Sequence, residues 1–130
     1  TLTSFGALKL NRSTAEPAEL SRALGARRAV IEVAPEDGRP DGLAVDAEGC
    51  LWVALWGGAA VQRYDPSGER AERVELPVSQ VTSCCFGGDD LETLYVTSAA
   101  RGAAGAEPLA GSVFACRPGV RGLPATPFAG

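Results

Sequence analysis
The chemistry open to this 130-residue chain rests on carboxylates, amides and hard cations, because it contains no histidine. That absence excludes Ser-His-Asp and Cys-His nucleophilic systems within the chain. It also removes the commonest ligand for zinc and copper. Among 16 Asp and Glu residues, Asp41 lies in a Pro40-Asp41-Gly42 run. A tight Pro-Asp-Gly turn projects its carboxylate from the entrance of a strand, where it can ligate a hard cation or carry a proton. Calcium or magnesium takes six or more oxygens, so one carboxylate without partners makes a poor site. A turn aspartate that bonds its own backbone is the competing reading.

The elements that must position this residue are strands. From Pro40 onward, short apolar runs alternate with Gly, Pro and Asp turns, an all-β pattern. Gly42 to Asp46, Leu51 to Ala54, Val61 to Tyr64 and Arg73 to Leu76 read as four strands joined by hairpins. The order then repeats with Val81 to Phe86, Leu94 to Thr97 and Val113 to Cys116, and the segment through Phe128 can supply a fourth strand. A period of about 40 residues with four strands per unit is the signature of propeller blades, and a sandwich of eight strands, which gives similar local signals, is the competing reading. Trp52 and Tyr95 hold equivalent positions in the two units, which blade packing explains better than substrate stacking. Ala29 to Val33 reads as the outer strand of a preceding blade. Glu16 to Leu24 reads as one or two helical turns with Pro17 in the first.

The remaining polar residues read as structural. Asp46 and Asp65 each end a strand beside a turn, and Asp89-Asp90 reads as a solvated hairpin, with surface calcium the lesser alternative. Glu107 lies in a small-residue insertion, Ala99 to Ala110, expected to be a flexible loop rather than a lid. Cys50, Cys84, Cys85 and Cys116 lack metal-knuckle or redox spacing. Cys84 and Cys85 are adjacent in a strand and should face opposite sides. Reduced, partly buried thiols are expected, with a disulfide framework the lesser reading.

A net charge of -4 and a pI near 4.8 argue against nucleic acid as a partner, since a phosphate backbone needs a clustered basic face. Arg27-Arg28 is the densest basic spot and reads as a solvated turn. The longest apolar run, Cys50 to Val61, is broken by Gly57-Gly58 and falls short of the roughly 18 residues of a membrane span. No basic-then-apolar leader is present, so a cytoplasmic location is expected. The chain starts at Thr1 without methionine, as a fragment would.

The segment from Gly38 through Gly49, with Pro40-Asp41-Gly42 inside it, resembles the "PDG…D.eG..W.A" block of the senescence marker protein/gluconolactonase/regucalcin family. Leu51-Trp52-Val53-Ala54, the Tyr64-Asp65-Pro66 turn and Leu76-Pro77-Val78 continue it. Thr82 to Gly88, Leu94-Tyr95-Val96-Thr97, Gly111-Ser112-Val113-Phe114 and the closing Phe128-Ala129-Gly130 are similar to the family's next blade. The resemblance covers about residues 24–130. Residues 1–23 depart from the blade motif expected there and are read as a poorly specified leader.

What the resemblance implies is the C-terminal piece of a six-bladed propeller, about two four-stranded blades plus an outer strand. It further implies a divalent metal at one end of the central channel: calcium, or zinc, magnesium or manganese. The implied activity is hydrolysis of sugar lactones, with Asp41 as metal ligand and general acid/base. The family's other ligands, a Glu near the N-terminus and an Asn, would fall upstream of Thr1. The activity of this chain alone is therefore expected to be impaired. The partner implied is a small-molecule sugar lactone, with neither nucleic acid nor membrane. A non-catalytic calcium-binding protein, or self-association through open blade edges, stands as the alternative.

Overall fold
The computed structural model describes residues 2–4, 28–103 and 105–125. Strand β1 (Leu2–Ser4) pairs antiparallel with β2 (Arg28–Ile31). A 3-10 turn at Pro35–Asp37 then leads into the first complete blade. Its strands are β3 (Arg39–Val45), β4 (Leu51–Trp56), β5 (Ala60–Tyr64) and β6 (Arg70–Glu75), antiparallel and in chain order. The second blade holds β7 (Val81–Gly87), β8 (Thr93–Ser98) and β9 (Val113–Cys116), again in chain order. The architecture is all-β, a partial propeller.

Strand character varies with exposure. β4 is buried along Trp52–Leu55 because sheets lie against both its faces, so its sequence is a continuous apolar run. β6, at an outer edge, alternates between exposed and half-buried residues. One core cluster joins the blades, with Trp52, Ala54 and Val61 facing Val81, Cys84, Leu94 and Val96. The other packs Val53, Leu55 and Tyr64 of the first blade on Ile31 of β2.

Three expectations change. First, β3 begins at Arg39 rather than Gly42, so Pro40-Asp41-Gly42 lies inside a strand instead of on a turn. Pro40 is tolerated because β3 is the edge of its sheet, where a missing N–H costs little. Second, residues 117–125 form no fourth strand. They run beneath both blades, where Gly122 bridges Asp46 and donates its N–H to Leu91 O at 2.8 Å. A Cβ on Gly122 would lie 2.6 Å from Phe86 Cγ, so only glycine fits this crossing. Third, residues 2–4 of the unpatterned leader do form a strand, through pairing with β2. The helix expected over Glu16 to Leu24, and the last stretch through Phe128, lie outside the described residues.

Candidate hub site
The first strands of the two blades, β3 and β7, lie against each other. Gly42 makes this possible, because a Cβ there would sit 2.6 Å from Ser83 Cβ and 2.8 Å from Ser83 Cα. Farther out the blades splay, leaving a groove of about 160 Å³ lined by Val74, Leu76, Pro77, Val96, Phe114 and Cys116. Convergence of β3 and β7 therefore marks the hub side.

Asp41 sits on that hub strand at an irregularity in the pairing. Pro40 faces Leu55 and Leu43 faces Val53, so Asp41 and Gly42 together oppose one residue of β4. Such a β-bulge re-aims a side chain out of the ordinary alternation. The Asp41 carboxylate is exposed and enters none of the ion pairs formed among the described residues. β7 carries its own bulge, where Val81 faces Ser98 and Ser83 already faces Thr97, leaving Thr82 as the extra residue. Ala44 pairs with Trp52 and Cys85 with Tyr95. On that register Thr82 is the repeat-equivalent of Asp41.

The hard-cation test fails for the described residues taken alone. No three Asp, Glu, Cys or His side chains gather closely enough to hold an ion. One carboxylate suits one coordination position and leaves the set incomplete.

Asp46, at the other end of β3, is a structural centre. It is fully buried. Its Oδ1 accepts the backbone N–H groups of Glu48 and Cys50, each at 2.9 Å, and its Oδ2 accepts Trp52 Nε1–H at 2.9 Å and Arg63 Nε–H at 2.8 Å. Burial alone would raise its pKa, but the bonds from Trp52, Arg63 and Cys50 and the Arg63 charge outweigh it, and the carboxyl stays below its ordinary value. Arg63 also pairs with Glu48 at 2.6 Å and lies 5.7 Å from the Trp52 ring centre. Asp65 is the turn residue expected, its Oδ1 accepting from the backbone N–H groups of Ser67 and Glu69. Asp90 and Glu92 both pair with Arg117 at 2.6 Å, so the Asp89-Asp90 hairpin is partly neutralised.

The insertion after β8 is tethered, contrary to the flexible loop expected. Ala99 N–H donates to Gln80 O, Gln80 Nε2 donates to Arg101 O, and Ser79 N–H donates to the Glu107 carboxylate at 2.9 Å. These bonds fix it at the end of the blades where β3 and β7 begin. Sequence reading missed Glu107 as an anchor because the partner is a backbone N–H. It missed the Thr82 hydroxyl too, although the repeat offered the signal: Thr82 stands one period after Asp41.

The cysteines meet expectation. All four are free, with Cys84 buried and Cys85 exposed on the opposite face. Burial pushes the Cys84 thiol up to about 12. Trp52 packs as expected, edge-on to Phe86 at 5.8 Å, but Tyr95 is 39% exposed. Among the described residues, no helix is long and apolar enough to cross a membrane.

Two face-packed, radially splayed blades whose first strands converge beside a bulged carboxylate define a segment of a β-propeller. The family described as SMP-30/Gluconolactonase/LRE-like region matches residues 14–100, and the chain belongs to it. Regucalcin of Gallus gallus is 47% identical over 113 residues, 82% of this chain and 38% of its own length. The chain thus spans well under half of that relative. A calcium-binding regucalcin from Agrobacterium tumefaciens superposes with a TM-score of 0.69 at 38% identity, over 76% of this chain and 35% of its own. A luciferin-regenerating enzyme gives 0.69 at 31% identity, over 83% of this chain and 38% of its own.

Proposed function
We propose that this chain is part of a divalent-metal-dependent sugar-lactone hydrolase of the gluconolactonase type, with Asp41 as a metal ligand and general acid/base. The observation that carries the reading is the exposed Asp41 carboxylate, unpaired among the described residues, on the bulge of the hub strand. A carboxylate so placed accepts the proton of a water that attacks a lactone carbonyl, then returns it to the leaving alkoxide. Calcium is the metal favoured, because a regucalcin neighbour binds calcium; zinc, magnesium and manganese are the others to try. The described residues offer one ligand, so remaining ligands would come from the length of the relatives that this chain does not span, and the isolated chain should turn over slowly. A cytoplasmic location is part of the same reading.

The test is gluconolactone hydrolysis with each metal added, comparing the chain with Asp41→Ala. Loss of the metal-dependent rate in the variant supports the assignment. Equal rates above background in both would remove Asp41 from the mechanism.

The uncovered face of the second blade, with Tyr95 and Val113 exposed, favours a second reading: association with another copy of this chain at that open end of the blade stack. Sedimentation of a stable monomer at micromolar concentration would sink it.

A further inference from the structure
Two neighbouring hub strands carry a bulge at the same repeat position, one presenting a carboxylate and the other a hydroxyl. Thr82 is half-buried, and its Oγ1 lies 2.8 Å from Thr97 Oγ1 across the β7–β8 pair. Thr97 in turn leans toward Ser83 O at 3.5 Å, a distance too long to engage it fully. Thr97 thus holds the Thr82 rotamer and leaves hydrogen-bonding capacity on both hydroxyls. The pair has two O–H hydrogens and uses one internally, so one hydrogen and several lone pairs remain for a ligand.

Asp41 and Thr82 differ in what they recognise. An ionised carboxylate accepts bonds or meets a cation, whereas a hydroxyl pair both donates and accepts without charge. Contact between Gly42 and Ser83 keeps the two bulges adjacent. From this juxtaposition we infer that Thr82, positioned by Thr97, is a substrate-contacting residue that binds the hydroxyls of a neutral polyol beside Asp41. This rests on the lactone-hydrolase reading and deepens it by separating two tasks: Asp41 for the reacting end, Thr82 for the hydroxylated body. A cross-strand threonine pair can also serve the sheet alone, so the test must register ligand and not only folding.

The experiment tracks the threonine methyl signals of the isotope-labelled full chain by NMR while D-glucitol, a polyol that cannot be hydrolysed, is added in the presence of calcium. The Thr82 and Thr97 methyls should shift saturably. Thr82→Val, which keeps shape and removes the hydroxyl, should weaken glucitol binding about 5-fold, as loss of one neutral hydrogen bond does. Thr82→Ser should stay within about 2-fold of the parent. Thr97→Val, which frees the Thr82 rotamer, should weaken binding less than Thr82→Val does. A Thr82 methyl that does not respond, or a Thr82→Val chain that binds as tightly as the parent, would overturn the inference. Asp41→Asn separates the two readings: calcium binding unchanged in that variant sinks the metal assignment, while a glucitol response that still depends on Thr82 leaves this one standing.

Discussion

Trp52 and Tyr95 stand at the same position of successive blades, yet Trp52 is inaccessible and Tyr95 is 39% exposed. The difference lies in the sheet that each blade has for a neighbour. The face that carries Trp52 is closed by Cys84, Leu94 and Val96 of the second blade. The face that carries Tyr95, Cys85 and Val113 meets nothing among the described residues. Exposure also grows outward along it, with Val113 at 65%. A blade's apolar face is therefore half an interface. Its side chains stabilise only to the extent that the next sheet removes them from water.

Truncating both aromatics puts this contrast under the greatest stress. Trp52→Ala should cost about 3–5 kcal/mol, because it empties a sealed core, and it also strips Asp46 of a donor. Tyr95→Ala should cost under about 1 kcal/mol. Urea denaturation of the two variants measures this, and equal losses would show that the second face is covered in solution.

The charge centre beneath the closed face gives the next effect. Asp46→Asn should destabilise by about 3 kcal/mol at neutral pH, since it turns an amide N–H2 against buried N–H donors and leaves Arg63 only its exposed partner Glu48. The folded pKa of Asp46 is lowered relative to the unfolded chain. The carboxylate therefore stabilises above the unfolded value near 4, and its contribution is lost as pH falls through the lower folded value. Thermal unfolding across pH 7 to 2 should show parent and variant converging at the acid end. A constant gap would contradict the linkage.

Gly42→Ala tests the hub contact. The new methyl meets Ser83 backbone and side chain, so β3 and β7 must move apart at a cost of about 1–3 kcal/mol. Gly57→Ala, where a Cβ meets nothing within 4 Å, carries only the strain of its positive φ of 80° and should cost less.

The smallest perturbation is chemical. Cys85 on the open face should react with a thiol reagent well before Cys84, whose thiol is held up to about 12 by burial. Simultaneous modification of both would mean that the sealed face opens as readily as the free one.

Much of the blade order was legible because turn chemistry and period-2 patterning are local properties. Val113 to Cys116 reads as a strand from its residues, and the structure has the same limits. The structural role of Asp46 was legible from its place between strand and turn, but its burial was not, since Asp65 in the same setting stays half-exposed. The coupling of Asp46 to Arg63, 17 positions away, was not legible either, since nothing local pairs those two.

The strand repeat and the family motif that contains Asp41 are written in residue types at short spacing, so the chain read end to end already contains them. Three features come from packing instead: Asp41 rides a bulge inside β3, Thr82 repeats that bulge next to it, and residues 117–125 strap the blades rather than adding a strand. Those outcomes depend on which backbones approach each other: Gly42 against Ser83, Gly122 against Phe86. A hydrogen-bond register or a sub-3 Å approach between distant segments is set by the packing of whole sheets, and no window of the chain contains it.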